Sequence, residues 1–172
     1  ARRECPVIRQ CALSHPSVTD PLELDRKLYV FRKVWERRAQ TDAGIRNAGF
    51  HIASLSCRTI VYKGLMHALQ ISDFYPDLRD PRLESALVVV HQRYSTNTFP
   101  SWRLAQPFRF LAHNGEINTI RANRINMMMR EPNLVSPLFG EAIRKIRPIC
   151  EEDGSDSASL DNALELLTLA GR

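Results

Sequence analysis

No stretch of this sequence approaches the roughly 18 uninterrupted apolar residues of a membrane-spanning helix, so no helical span is expected. The opening Ala1-Arg2-Arg3-Glu4-Cys5-Pro6 also lacks the apolar run of a signal peptide, which makes a cytoplasmic protein the expectation. The four cysteines, Cys5, Cys11, Cys57 and Cys150, contain no Cys-x-x-Cys pair. Neither a metal site nor a disulfide framework is therefore indicated, and free, mostly buried thiols are expected. No internal repeat or low-complexity tract interrupts the chain.

What is present is the makeup of one globular domain. The chain has 172 residues, 44% of them hydrophobic and 25% charged, enough to bury a core. A net charge of +5 raises nucleic acid as a partner. The distribution argues against it, because the basic residues interleave with acids, as in Asp25-Arg26-Lys27 and Trp35-Glu36-Arg37-Arg38, and read as a solvated helix face. Neither nucleic acid nor membrane is an expected partner. The polar start at Ala1 leads us to expect a fragment.

Thr19-Asp20-Pro21-Leu22-Glu23 is a helix start, with Asp20 as cap and Glu23 placed for a capping box. Leu24, Leu28, Phe31 and Trp35 then form one apolar stripe running to about Ala39. Residues 40–49 read as a loop, 50–56 and 59–62 as strands, and 65–71 as a short helix. Ala86-Leu87-Val88-Val89-Val90 is the strongest strand signal, apolar on both faces and expected between two layers. A second strand over 108–112 should stop at a hairpin turn, His113-Asn114-Gly115. Helices are expected over 117–130, 139–146 and 157–170, the last burying Leu160, Ala163, Leu164 and Leu167.

Three places carry chemistry, each with a plainer structural alternative. Arg93, at the end of the strong strand, offers a planar fork of donors to an internal carboxylate or to the carboxylate of a ligand. Asn114-Gly115 is a tight-turn signal, yet an Asn amide beside a Gly N–H also places two donors where a developing oxyanion could sit. Asp156 stands at a helix start, either as a cap or as the partner of an ammonium group. Together these would describe a pocket for an α-amino acid bearing a side-chain amide, which fits glutamine.

The motifs themselves carry a resemblance. His91-Gln92-Arg93-Tyr94-Ser95-Thr96-Asn97-Thr98-Phe99-Pro100-Ser101-Trp102, Ala105-Gln106-Pro107-Phe108 and His113-Asn114-Gly115-Glu116-Ile117-Asn118-Thr119 resemble, in order and spacing, the class II glutamine amidotransferases. Tyr62-Lys63-Gly64, Gly154-Ser155-Asp156-Ser157-Ala158 and Leu160-Asp161-Asn162 look like the amidotransferase domain of the glutamate synthase large subunit. The likeness runs from about Leu24 to Arg172. Ala122 and Asn126 depart from the Gly and Trp that this family favours.

The resemblance implies that Arg93 holds the α-carboxylate of glutamine, Asp156 its α-amino group, and Asn114 with Gly115 the oxyanion, with Thr96 and Asn97 lining the pocket. It implies an α+β fold of the amino-terminal nucleophile hydrolase type, a four-layer αββα sandwich with antiparallel sheets. Residues 1–172 would form an incomplete part of a single type 2 amidotransferase domain whose amino-terminal portion is missing. The family's nucleophile is an amino-terminal cysteine whose own α-amine activates the thiol. No residue here fits that part, so the isolated chain is expected to be inactive. The implied partners are glutamine, the remaining domains of glutamate synthase and its small subunit. FMN and an iron–sulfur cluster are expected in the rest of the parent protein, and no cofactor in this chain. The rival reading is a non-catalytic glutamine-binding or assembly module.

Overall fold

The computed structural model describes residues 5–93 and 99–171. The helix expected after Asp20 forms: α1 spans Pro21–Thr41, and the Asp20 carboxylate accepts from the backbone N–H groups of Leu22 and Glu23 at 3.1 and 3.2 Å. Its buried face differs from the expected stripe. Phe31 and Trp35 are 45% and 49% exposed and stack on each other, with ring centroids 5.5 Å apart. The buried positions are Asp25, Tyr29, Arg32, Lys33 and Ala39.

Charged groups can occupy that face because each finds a partner. Arg32 pairs with Glu36 and with Glu165, while the Lys33 ammonium donates to the Ile149 carbonyl at 3.1 Å. Asp25 accepts from the Ser56 hydroxyl and the Cys57 N–H at 2.9 and 2.8 Å.

A short helix, α2, Ala43–Asn47, stands inside the expected loop, started by the Asp42 carboxylate accepting from the Ile45 N–H at 3.0 Å. Gly49 then reverses the chain with φ 71°. A 3-10 turn over Ala68–Gln70 leads into α3, Ile71–Phe74, beyond the helix expected over 65–71. α4 spans Ile120–Arg130, beginning three residues after the expected start at Ile117. Gly140–Ile146 is 3-10 helix, and α5 is Asp156–Leu169.

The expected sheets are not there. Among the described residues there is no strand, which overturns the α+β four-layer αββα sandwich: the elements are helices joined by irregular segments. Ala86–Val90, expected between layers, lies on the surface, with Leu87, Val88 and Val90 78%, 71% and 72% exposed. Composition gives a segment β-propensity, but a strand exists only where a second segment takes up its N–H and C=O groups. No described segment does so here. For the same reason Asn114-Gly115 joins no hairpin strands. The turn closes earlier instead, where the Phe108 N–H donates to the Leu111 carbonyl at 2.9 Å.

The apolar core joins α1, the 3-10 segment and α5 through Tyr29, Phe139, Ile143, Ile146, Ile149, Leu166 and Leu169. Tyr29 meets Phe139 edge to face at 5.9 Å, and Ile146 and Ile149 are wholly buried. α5 is rotated from expectation. Leu160 and Leu167 are 43% and 48% exposed, while Ala158, Asp161, Asn162, Glu165, Leu166 and Leu169 face inward. That rotation turns a polar edge of α5 toward the segment holding Asn114 and Gly115. No helix among the described residues is long and apolar enough to cross a membrane.

Candidate functional site

The site is assembled by the first two turns of α5. Ser155 caps the helix, its hydroxyl accepting from the Ala158 N–H at 3.1 Å. Asp156 is therefore not the cap residue but the first helical residue, and its carboxylate is divided between the first turn of the helix and Ile117. Its Oδ2 accepts from the Ile117 N–H at 2.7 Å, and its Oδ1 accepts from the Ser157 N–H and hydroxyl at 2.6 and 3.2 Å. Desolvation works to raise the Asp156 pKa, but the hydrogen bonds from Ile117 and Ser157 outweigh it and hold the carboxyl below its usual range. It is an anion at neutral pH.

The loop before Ile117 is held at a second point. The Ser157 hydroxyl lies 3.2 Å from His113 Nδ1. The Gln106 side chain grips the backbone of His113 on both sides: its Oε1 accepts from the N–H at 2.7 Å, and its Nε2 donates to the C=O at 2.8 Å. The next two residues, Asn114 and Gly115, are exposed. A Cβ on Gly115 would stand 3.2 Å from the His113 ring, so a side chain there would require the imidazole to give by a few tenths of an ångström.

A third anchor lies upstream. Asp161, 1% exposed, accepts from three successive backbone N–H groups: Arg109 at 3.3 Å, Phe110 at 2.7 Å and Leu111 at 3.1 Å. Arg124 of α4 secures the other side of the α5 start, donating to the Ser159 hydroxyl and to the carbonyls of Gly154 and Ser155. The Lys63 ammonium steadies the approach to Gln106, donating to the carbonyls of Arg103 and Ala105 at 3.0 and 2.8 Å. Burial, followed by the nearby Arg109, pushes the Lys63 pKa down to about 7.

The structure thus bonds Asp156 to Ile117, in the same loop that carries Asn114 and Gly115. Arg93 is exposed, its backbone N–H donates to His91 Nδ1 at 3.1 Å, and among the described residues no ion pair or hydrogen bond joins it to Asp156. Thr96 and Asn97 lie outside the described residues. A cavity of about 10 Å³ behind the loop, lined by residues including His51, Lys63, Arg109, Glu151 and Asp161, has room for about one water molecule. Glutamine does not fit there; the exposed loop face is the candidate site.

Cys5, Cys11 and Cys57 are exposed and Cys150 is partly buried, contrary to the expectation of mostly buried thiols. Desolvation and the Asp25 carboxylate push the Cys57 thiol up, and burial pushes up that of Cys150. Neither is prepared as a thiolate nucleophile.

The profile of the class II glutamine amidotransferases matches residues 1–172. The chain belongs to that family. Among the relatives of this amidotransferase chain are the glutamate synthase [NADPH] large chain of Bacillus subtilis (strain 168), 49% identical over 173 residues, and the glutamate synthase [NADH] of Saccharomyces cerevisiae, 50% identical over 145 residues. These alignments cover 100% and 84% of this chain. A ferredoxin-dependent glutamate synthase 2 of Synechocystis is 42% identical over 173 residues and 100% of the chain. The amidotransferase chain spans only 11%, 6% and 11% of the length of these three relatives, respectively.

Among the described residues no group of three or more His, Cys, Asp or Glu side chains could hold a metal ion. Sequence reasoning missed Gln106, Ser157 and Asp161 as site residues. Each lies within a motif, but Gln106 and Asp161 act by bonding the backbone of other residues and Ser157 by meeting the His113 ring, and only the folded contact reveals that.

Proposed function

We propose that this chain supplies glutamine recognition and transition-state support to the glutaminase site of a glutamate synthase. The observation that supports this reading is the bond from the Ile117 N–H to Asp156, which ties an anionic carboxylate to the segment that carries the exposed residues Asn114 and Gly115. Asp156 receives the α-ammonium of glutamine. The Asn114 amide and the Gly115 N–H receive the side-chain amide oxygen as it becomes an oxyanion. Arg93 takes the α-carboxylate, and Thr96 and Asn97 line the pocket.

The attack belongs to a thiolate from elsewhere in the longer protein. It adds to the amide carbon, the C–N bond breaks, protonated nitrogen leaves as ammonia, and water hydrolyses the thioester to glutamate. Without that thiol, residues 1–172 have no glutaminase activity of their own. Loss of one oxyanion donor typically costs about 3 to 4 kcal/mol of barrier. The ammonia then serves amination of 2-oxoglutarate by other domains, and with them the small subunit, where FMN and an iron–sulfur cluster supply the redox chemistry.

The test is glutaminase kinetics on the full-length protein. Asn114→Ala should lower kcat by about 100-fold or more with KM little changed, whereas Asp156→Asn should act first on KM. Wild-type kinetics in both variants would end the reading.

A further inference from the structure

We infer that Asp161 is the positioning residue for the Asn114 and Gly115 donors, an inference that rests on the reading of this pair as the oxyanion site. The segment from Arg109 to Ile117 contains no helix or strand, so side chains from outside must set its shape. Two of these are carboxylates on one rigid element. Asp161 grips the segment at Arg109, Phe110 and Leu111, and Asp156 grips it at Ile117. Five residues apart on α5, their backbone positions are separated by about 7.5 Å along the helix axis, a fixed spacing to which both ends of the loop are tied.

The Asp161 contact is unusual in using one carboxylate against three consecutive N–H groups. The Phe108 N–H to Leu111 C=O bond closes the turn, and the next three N–H groups converge on Oδ1 and Oδ2 as in an anion nest. Only an acceptor with two oxygens and several lone pairs satisfies them all. With Asp161 in place, the chain enters His113 in one orientation, Gln106 fixes the peptide groups flanking that residue, and Asn114 and Gly115 follow. Without it the upstream anchor is lost while Asp156 and Gln106 remain. The donors then shift without leaving the site, and oxyanion stabilisation is the property most sensitive to such a shift.

A carboxylate that merely held the fold together would slow the enzyme independently of Asn114, and a double-mutant cycle in the full-length protein separates the two cases. Asp161→Asn keeps an acceptor for Phe110 and Leu111 but can turn an amide toward the Arg109 N–H. It should lower glutaminase kcat about 10- to 100-fold with KM within about twofold of wild type. In an Asn114→Ala background the same change should cost clearly less than in the wild type, because one of the two donors that Asp161 aims is already gone and only the Gly115 N–H remains to be displaced. Where Asp161→Asn does not fold, Asp161→Glu, which keeps the charge and displaces the oxygens by one methylene, enters the same cycle. Wild-type kcat in the Asp161 variant alongside a slow Asn114→Ala enzyme overturns the inference, as do losses that multiply in the double variant. A fast Asn114→Ala enzyme overturns instead the oxyanion reading beneath it.

Discussion

The Asp156 carboxylate accepts a hydrogen bond from the backbone N–H of Ile117 at 2.7 Å, so the group proposed to bind ammonium also fixes the end of the loop that carries the proposed oxyanion donors. Recognition of the amino group and stabilisation of the transition state share one anchor. Ser157 links the two a second time, its hydroxyl lying 3.2 Å from both the Asp156 Oδ1 and the His113 Nδ1.

Replacing Asp156 with Asn should therefore affect binding and acid stability together. Losing a charge-assisted bond worth about 2 kcal/mol raises KM for glutamine about 30-fold, read from glutaminase kinetics in the full-length protein. The folded pKa of Asp156 lies below its unfolded value, near about 3.9. Its stabilisation is thus present above the unfolded pKa and is lost as pH falls through the folded one. In melts from pH 6 down to about pH 2, wild type should lose more stability than Asp156→Asn. Parallel curves would show that the carboxylate gains nothing from its N–H donors.

Lys63 predicts a trend of the same sign on the alkaline side. Its folded pKa of about 7 lies below the unfolded value, so between these pH values the unfolded chain binds the additional proton and stability rises with pH. Lys33, lowered mainly by burial, adds in the same direction. Above about pH 10 the rise should reverse, because burial first of all holds Tyr29 above its usual range and it stays protonated in the fold. The midpoint of thermal unfolding should climb from pH 7 toward about pH 10, and Lys63→Met should flatten much of the climb. A wild-type midpoint independent of pH over that window would refute the assignment.

How far the sequence reveals this fold depends on whether a signal is local. Asp20, Pro21 and Leu22 lie within one turn of one another, and the helix they announce starts where expected. Ala86–Val90 announces a strand equally strongly, but strand formation depends on a partner elsewhere, which composition does not specify. The buried faces of α1 and α5 depart from the apolar periodicity for a related reason. Periodicity counts Phe31 and Leu160 as core and Arg32 and Asp161 as surface, yet Arg32 is buried by Glu36 and Glu165, and Asp161 by three N–H groups. At the proposed site, Asn114, Gly115 and Asp156 stand out in the sequence because the chemistry proposed for them lies in their own side chain or backbone. Gln106 and Asp161 act through the backbone of other residues and left no pattern to read.

Arg32 provides a test of that polar core. It is 1% exposed and lies between Glu165 and Glu36, and Glu36 in turn meets Arg109 at 3.1 Å. Arg32→Met removes the charge but leaves Glu165 buried without its partner, at a cost of about 3 to 5 kcal/mol. Adding Glu165→Gln should recover a substantial part, because the uncompensated carboxylate is then gone. Urea unfolding of the two single variants and the double variant measures the coupling. Strict additivity would mean that the buried pair contributes nothing as a pair.

Gln106 provides a test of the loop that does not involve α5. Its amide satisfies both the N–H and the C=O of His113, a reciprocal arrangement that fixes the peptide groups on either side of that residue. Gln106→Met fills nearly the same volume and removes both bonds, so the His113 backbone can turn. Gln106→Glu retains the acceptor for the N–H but sets a carboxylate oxygen against the His113 carbonyl. If the peptide orientation governs where Asn114 and Gly115 point, both variants should lower kcat, by about 10-fold or more, and the Glu variant should be the slower of the two because it adds repulsion. Since neither change touches Asp156, KM should move little. A Met variant with wild-type kcat would show that Asp156, Ser157 and Asp161 hold the loop without help from Gln106.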